Sequence, residues 1–324
     1  MDYPFEAWEK KPAKAGFFIS GSNFLRTRVY IDGYNLYYGC LKGTALKWLD
    51  VCSLFSKQIL PTSCPSSFVP DELFIKFFTA PILIQAARAE DSLMCQEQYH
   101  SALRKHTPDS IEIIKGYYDL KAVRARQIDP TDPKKWPRHC SDIEVWKLEE
   151  KQSDVNLAIH LLKDALHEGI EQLIVATNDT DLAPALAMVR ELTQAKIGLV
   201  IPTTNRHRRP NEHLAKYAHW VREHITLDEL KASQLPRVVK LDKKSATKPT
   251  SWFQNSEILE QVLTLGVTVR GSKAEVYKWL DRPNPHFDNR TGLDLIESGD
   301  GARLLDFMKQ WPQQNGQVIN KDKA

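Results

Sequence analysis

Short blocks of apolar residues alternate with longer amphipathic stretches over the first 235 residues. The apolar blocks predict strands at 27–32, 73–78, 111–118, 172–176 and 197–201. The amphipathic stretches predict helices at 49–60, where Pro61 ends the pattern, and at 85–105, 157–166 and 183–192. Strands that alternate with helices indicate a parallel sheet with helices on both faces. The nearly continuous apolar blocks LIVAT and IGLVI fit strands that are buried on both sides.

The pattern changes near residue 235. Residues 236–252 are rich in Lys, Ser, Thr and Pro and show no periodicity, so we expect a basic, exposed linker. Helical periodicity returns over 253–315 and predicts a small all-helical domain. An N-terminal extension (1–25) and a tail (316–324) complete the predicted organisation around an α/β domain at 26–235.

Composition narrows the class of protein without indicating a function. Among 324 residues, 42% are hydrophobic and 26% are charged, which excludes wholesale disorder. No apolar run is long enough to span a membrane, and the first residues lack the apolar core of a signal peptide. The five cysteines are scattered and never form C-x-x-C. We therefore expect a cytoplasmic protein with reduced thiols and neither a disulfide framework nor a zinc site.

Four acidic residues fall where predicted strands end or predicted helices begin. Asp32 ends the first strand, Asp154 begins a helix, and Asp179 and Asp181 follow the fourth strand. Because functional groups collect outside the carboxyl ends of parallel strands, these carboxylates are expected to converge. Neighbouring carboxylates repel each other, and a hard cation such as Mg²⁺ or Mn²⁺ relieves the repulsion and can activate water for attack on a phosphodiester.

Each acidic residue also has a purely structural explanation when it is taken alone. Asp32 precedes a glycine, and Asp-Gly is a common turn former. Asp154 and Asp179 lie at helix starts, where an acidic group caps the helix or suits its dipole. Asn35 and Asn178 are further candidates, because their amides can orient a water molecule or a ligand. The structural explanation accounts less well for the shared edge of the sheet.

Basic side chains are concentrated in two regions, although the formal net charge is only +3. Residues 206–248 contain eleven Lys or Arg and five Asp or Glu, and a second basic region at 121–138 lies in a long insertion. Basic side chains near aromatic ones suit single-stranded RNA, through phosphate neutralisation and base stacking. The alternative is a solvated loop surface. The candidate RNA-binding residues are Arg206, Arg208, Arg209, Arg124, Arg126 and Lys151.

Four segments within residues 26–235 resemble the NYN domains, a PIN-like ribonuclease family. They are VYIDGYNLYYG, KQSDVNLAIHLLKDAL, LIVATNDTDLAPAL and KIGLVIP, in the order found in that family. The resemblance implies a Rossmann-like α/β/α sandwich whose acidic cluster binds Mg²⁺ or Mn²⁺ and hydrolyses RNA. The metal ligands that it implies are Asp32, Asp154, Asp179 and Asp181, with Asn35 in support. His160 stands where many relatives have a further Asp, and we expect it to be a packing residue.

The segment KAEVYKWLDRPNPHFDNRTGLDLIESGDGARLLDFM is similar to the toxin-binding domain of Xre/MbcA/ParS-type antitoxins. Gly292 stands where that family often has a proline. The resemblance implies a domain that dimerises and contacts a toxin-type protein partner. The alternative is a helical dimerisation tail with no such partner.

Together these patterns predict a metal-dependent endoribonuclease that cuts tRNA or mRNA in a toxin-antitoxin or phage-defence setting. The alternative is a catalytically inactive RNA-binding or regulatory protein that assembles through its C-terminal helical domain. A phosphatase with an aspartyl nucleophile is disfavoured, because Tyr34 stands where that chemistry requires a second Asp. A homodimer is the expected oligomeric state.

Overall fold

The computed structural model describes residues 25–64, 72–87, 89–167, 169–242 and 245–311. The predicted extension at 1–25, apart from Leu25, and the predicted tail at 316–324 lie outside these ranges. The strands found within the ranges are β1 (Thr27–Asp32), β2 (Phe74–Thr79), β3 (Ile111–Lys115), β4 (Tyr117–Arg126), β5 (Asp142–Lys151), β6 (Gln172–Ala176), β7 (Lys196–Val200), β8 (Trp220–Arg222), β9 (Val238–Lys240) and β10 (Ser245–Thr247).

The helices of the α/β part are mostly short. They are α1 (Gly33–Leu36), α2 (Val51–Ser53), α3 (Leu60–Ser63), α4 (Ser92–His106), α5 (Ser153–Ala165), α6 (Ala183–Leu192), α7 (Glu212–Ala215) and α8 (Leu227–Ala232). Two π-helical segments, Tyr37–Leu41 and Leu54–Ile59, continue α1 and α2. The helical domain contains α9 (Ser256–Arg270), α10 (Lys273–Leu280), α11 (Gly292–Ser298) and α12 (Gly301–Lys309). Of the helices described, none has the length and apolar character that a bilayer span needs.

Six strands form one parallel sheet in the order β3–β2–β1–β6–β7–β8. Strand β1 is central and pairs in parallel with β2 on one side and β6 on the other. The chain therefore winds outward from β1 in one direction and from β6 in the other. In sheets of this kind, ligands bind outside the carboxyl ends of the strands at the point where the strand order reverses. That point lies between β1 and β6.

Helices cover both faces of the sheet. Val29 and Ile31 on β1 lie in one buried core with residues of α4, whereas Tyr30 lies in a second core with residues of α5 and α6. All three β1 side chains are fully buried, and successive side chains of a strand point to opposite faces. The predicted three-layer α/β/α fold with an added helical domain is therefore confirmed.

The predicted helix end at Pro61 is wrong. Helix α3 begins at Leu60, directly after the π-helical segment, and continues to Ser63. Pro61 is the second residue of α3 and has no backbone N–H to donate, and it directly follows the wider turns of the π-helical segment. Proline therefore marks a change of helix type here.

Residues 236–252, which were expected to be an exposed linker, contain a short antiparallel hairpin. Strand β9 pairs with β10, and Val239 and Ala246 are buried in the core that α4 helps to form. Trp252, just after the hairpin, packs against Trp48 and Tyr99 of the same core. The segment is therefore part of the α/β domain.

Ion pairs attach the helical domain to this hairpin. Arg237 contacts Asp294 at 2.7 Å and Glu297 at 2.8 Å, both on α11. The buried ammonium of Lys248 contacts Glu297 at 3.0 Å. Helices α9 to α12 enclose a separate apolar core that includes Val262. The hairpin thus connects two cores through a partly buried charge cluster.

Candidate active site

Asp32 lies at the carboxyl end of β1, where the strand order reverses. Its buried carboxylate accepts hydrogen bonds from the Asn35 backbone N–H at 2.9 Å, the Asn35 side-chain amide at 2.6 Å and the Thr177 hydroxyl at 3.0 Å. Burial raises the pKa of Asp32, the hydrogen bonds oppose that rise, and the charge of Asp179 adds to it. The carboxylate also caps α1, so the turn explanation and the site explanation hold together.

The other three predicted carboxylates lie at the same edge of the sheet. Asp179 caps the short helical turn after β6 and accepts a hydrogen bond from the Asp181 backbone N–H at 3.0 Å. Asp154 is the second residue of α5. Partial burial, together with the charges of Asp32, Asp179 and Asp181, raises the pKa of Asp154 to about 6. The structure therefore brings the four predicted carboxylates within electrostatic reach of one another.

The residues that the structure describes contain no group of three or more His, Cys, Asp or Glu side chains arranged to hold a metal ion. The four carboxylates influence one another without converging on one point. Binding of Mg²⁺ or Mn²⁺ at this cluster therefore stays a prediction, which elemental analysis of the purified protein checks. We call the four residues the acidic cluster.

Replacing Asp154 with Asn should stabilise the protein at pH 7. A raised pKa in the folded state means that folding disfavours the ionised carboxylate, so this group lowers the free energy of unfolding as pH rises from about 4 to about 6. Above that window the penalty is constant, and below it the penalty is absent. Because the Asp154 side chain is partly exposed, solvent screening limits the gain to on the order of 1–3 °C in Tm.

Calorimetry at pH 4 and pH 7 measures this effect. The variant should gain stability at pH 7 and show almost none of the gain at pH 4. Asp306→Asn, a change at an exposed carboxylate on α12, is the matched control and should not reproduce this difference. A lower Tm for Asp154→Asn at pH 7 would show that the carboxylate is stabilised by its surroundings.

Asn178 connects the acidic cluster to the basic loop that follows β7. Its backbone N–H lies 3.4 Å from the Asn35 side-chain oxygen, and its own side-chain oxygen accepts from the Asn211 backbone N–H at 2.9 Å. The amide of Asn178 also reaches the backbone oxygen of Arg209 at 3.5 Å. The loop with Arg206, Arg208 and Arg209 is therefore anchored beside the cluster, and all three arginines are exposed.

The second predicted RNA-binding region is a two-stranded ribbon formed by β4 and β5. Arg126 pairs with Asp142 at 3.2 Å, Arg124 lies opposite Glu144, and Lys151 contacts Glu149 at 2.8 Å. Arg124 and Arg126 of β4 therefore lie opposite acidic residues of β5, whereas Lys121 lies opposite Lys147. The pairing of these arginines with acidic residues was not predicted from the sequence.

A cavity of about 540 Å³ at the carboxyl ends of β1 and β2 was not predicted from the sequence. Gly33 belongs to its lining and directly follows Asp32, so the cavity adjoins the acidic cluster. We call it the aromatic cavity, because its walls include Tyr34, Tyr38, Phe77, Tyr99, Tyr118 and Trp252. The run of tyrosines in YNLYYG was the available signal, but Trp252 comes from the segment that was expected to be an exposed linker.

Charged and polar groups also line the aromatic cavity. The Lys42 ammonium lies 4.5 Å from the centre of the Tyr38 ring, and the Lys47 ammonium lies 5.7 Å from the centre of the Trp252 ring. His100 on α4 is only 3% exposed. Burial lowers the pKa of His100 to about 4, helped by the charges of Lys115 and Arg104. The cavity therefore offers two cations, the Glu150 carboxylate and a neutral imidazole between aromatic walls.

The fold and these features define an α/β protein with a small-molecule cavity at the carboxyl edge of its sheet. The chain is 44% identical over 303 residues to a protein from Pseudomonas putida (strain DSM 28022 / S16) named 6-hydroxy-3-succinoylpyridine 3-monooxygenase HspA. The similarity covers 91% of this chain and 97% of that protein. The chain therefore belongs to the family of this monooxygenase.

Two further similarities concern parts of the chain. Residues 265–306 match the Antitoxin Xre/MbcA/ParS C-terminal toxin-binding domain, which confirms the predicted resemblance of the helical domain. A solved structure, a protein of unknown function VPA0982 from Vibrio parahaemolyticus RIMD 2210633, covers 63% of this chain and 94% of its own, with 16% identity and a TM-score of 0.35. None of these similarities supports the NYN resemblance of residues 26–235.

The prediction of a metal-dependent endoribonuclease is wrong. A relative that shares 44% of its residues across nearly the whole of both chains is named as a monooxygenase, an oxidoreductase that is neither a nuclease nor a hydrolase. The alternative of an inactive RNA-binding or regulatory protein fails for the same reason. The error arose because an acidic cluster at strand ends fits several chemistries, and fold alone does not choose among them.

Proposed function

We propose that this protein is a monooxygenase that acts on a hydroxypyridine with an acidic side chain. The observation that carries the proposal is the 44% identity to 6-hydroxy-3-succinoylpyridine 3-monooxygenase HspA across nearly the whole length of both proteins. The substrate in the name of that relative has a planar hydroxylated ring and a succinoyl chain. The same compound, or one closely related to it, is the proposed substrate.

The aromatic cavity supports a substrate of this shape and charge. Its volume of about 540 Å³ lies in the range of small-molecule sites. Aromatic side chains such as Phe77 and Trp252 present ring faces and edges that favour stacking with a planar ligand. The two ammonium groups of Lys42 and Lys47 suit a carboxylate. An RNA strand, in contrast, would need a long basic groove.

The reaction needs a reductant besides the substrate. A monooxygenase places one atom of O₂ in the substrate and releases the other as water, which consumes two electrons and two protons. We propose a reduced nicotinamide or reduced flavin as the electron donor. Asp154, with its pKa near 6, is suited to exchange protons close to neutral pH, and we assign a proton-transfer role to the acidic cluster.

The first turn of the sheet does not fit the usual dinucleotide site. The strand order is the one found in dinucleotide-binding proteins, whose first turn binds pyrophosphate with a G-x-G-x-x-G sequence. Here that turn reads Asp32-Gly33-Tyr34-Asn35, and the Asp32 carboxylate itself accepts the N–H of Asn35. The Asp32 carboxylate already occupies the start of α1, where the pyrophosphate of a dinucleotide would bind. We therefore place no dinucleotide at this turn.

The helical domain is proposed to bind a protein. Its match to the toxin-binding domain of antitoxins supports a toxin-type partner or a second copy of this chain. Sedimentation analysis of the full chain, alone and with such a partner, measures both possibilities. A single species at the chain mass of 37.1 kDa in every mixture would contradict this part of the proposal.

Oxygen uptake tests the proposed activity. Purified protein with 6-hydroxy-3-succinoylpyridine and a reduced nicotinamide or flavin should consume O₂ in step with product formation. Asp306→Ala, at an exposed position on the helical domain, is the control variant and should retain full activity. Uptake of O₂ that does not depend on the pyridine, or no product with either reductant class, would contradict the proposal.

A further inference from the structure

We propose that the aromatic cavity holds its ligand in one orientation, with the ring hydroxyl at His100 and the acidic side chain at Lys47. The identity of the ligand rests on the proposed function. The orientation itself follows from which polar groups of the cavity are already engaged by the protein and which are not.

Several polar groups of the cavity wall already have protein partners. The Tyr99 hydroxyl donates to the Leu49 backbone oxygen at 2.8 Å. The Gln96 side chain donates to the Ala80 oxygen at 2.9 Å and accepts from the Ile82 N–H at 2.8 Å. These groups fix α4 against β2 and the segment that follows it. Their hydrogen bonds are made within the protein, so other residues must supply the polar contacts to a ligand.

His100 differs from these neighbours. Its ring packs against Tyr99 and the edge of Phe77, with centroids 5.7 and 6.2 Å away, and no hydrogen bond to it is found within the described ranges of the chain. A neutral imidazole has one donor and one acceptor nitrogen. His100 lines the cavity, and its ring nitrogens are not among the fully buried polar atoms that lack a partner, so a ligand hydroxyl that enters the cavity is a suitable partner. Burial keeps the imidazole neutral at pH 7, because its pKa is lowered to about 4.

Lys42 and Lys47 both line the cavity without an ion pair in the described residues, but Lys42 is exposed, so the half-buried Lys47 is the better partner for an acidic side chain. The Lys47 ammonium lies over the Trp252 ring, and among the described residues it forms no ion pair within 4.0 Å. Burial lowers the pKa of Lys47, while the nearby Asp91 and Cys95 oppose that change. A carboxylate placed here gains a charge-assisted hydrogen bond.

Three ligands test the contact at His100 and the contact at Lys47 separately. They are 6-hydroxy-3-succinoylpyridine, the same compound without its hydroxyl, and its methyl ester. Calorimetric titration without reductant measures binding independently of turnover. Wild type should lose about 10- to 100-fold in affinity for each altered ligand, as expected for one buried or charge-assisted hydrogen bond.

Variants then assign each loss to a residue. His100→Leu should bind the hydroxylated and deoxy ligands equally, and His100→Gln, which keeps a donor and an acceptor, should restore part of the preference. Lys47→Met should remove the preference for acid over ester and leave the hydroxyl preference intact. Lys309→Met, on the exposed face of α12, is the matched control for a lost lysine and should bind like wild type. Circular dichroism confirms that each variant is folded.

Unchanged preferences in folded His100→Leu or Lys47→Met would overturn the orientation, and so would a wild-type protein that binds none of the three ligands. If wild type hydroxylates the substrate but the two variants keep the wild-type ligand preferences, the orientation is wrong and the proposed function stands. Binding with the expected preferences but without oxygen incorporation would overturn the proposed function and leave the ligand site standing.

Discussion

Replacing Asp164 with Ala should lower the free energy of unfolding by about 3–5 kcal/mol, because it leaves a buried lysine without its counter-charge. The Lys76 ammonium on β2 lies 2.6 Å from the Asp164 carboxylate on α5, and their side chains are only 10% and 15% exposed. The hydroxyl of the fully buried Tyr30 donates to the same carboxylate at 2.7 Å. The substitution therefore leaves the Tyr30 hydroxyl without an acceptor and leaves the Lys76 ammonium with only the His160 imidazole, 3.2 Å away.

Denaturant and thermal unfolding measure this loss, which corresponds to a fall in Tm of about 10 °C. Asp306→Ala, which breaks an exposed pair with Lys309, is the control and should cost less than about 1 kcal/mol. A double variant, Lys76→Met with Asp164→Leu, should recover the part of the loss that comes from the unpaired charge, while the Tyr30 hydroxyl stays without its acceptor. A loss below about 1 kcal/mol in Asp164→Ala would show that water reaches this pair and compensates for it.

Replacing Gly33 with Ala should disable the site with a smaller loss of stability. A Cβ atom at this position would lie 2.5 Å from the backbone oxygen of Phe78 and 2.9 Å from the ring of Phe77. The Phe78 oxygen belongs to a central strand, so α1 must shift instead. This shift displaces Asp32 and Tyr34 together, and a displacement near 1 Å at a reacting site can cost about 100-fold in rate. The crowding itself should cost about 1–3 kcal/mol.

Gly43→Ala separates the clash from a general effect of adding a methyl group to the cavity. Gly43 also lines the cavity, but a Cβ atom added there would have no neighbouring atom within 4 Å, and its φ of +76° creates only local strain. This control should bind ligand like wild type and lose about 1 kcal/mol of stability. Equal activity of Gly33→Ala and wild type would show that α1 does not position the site.

The sequence predicted those parts of the fold that depend on a local pattern of apolar residues. The apolar blocks placed β1 and β6 because both strands are buried on both faces. That prediction in turn brought Asp32 and Asp179 to the same edge of the sheet, since the carboxyl ends of neighbouring parallel strands lie together. His160, which was expected to be a helix-surface or packing residue, contacts the Phe78 ring, and its Nδ1 lies 3.2 Å from the Lys76 ammonium.

The remaining features depend on contacts that are distant in the sequence. The aromatic cavity needs Tyr34 and Trp252 on the same wall, although more than two hundred residues separate them. The β4–β5 ribbon pairs Arg126 with Asp142 across a long loop, so a basic stretch was mistaken for a basic surface. The reaction type was not predictable from the acidic cluster, because carboxylates at strand ends serve hydrolysis, proton transfer and helix capping equally well.

Oxygen-isotope labelling tests the proposed monooxygenase activity most directly. The purified protein is supplied with 6-hydroxy-3-succinoylpyridine, a reduced nicotinamide or flavin, and isotopically heavy O₂ in ordinary water. Mass spectrometry then measures the mass of the product. We expect one heavy oxygen atom in each product molecule and none when heavy water replaces heavy O₂. Product oxygen that comes only from water, or product that forms without O₂, would contradict the proposed activity.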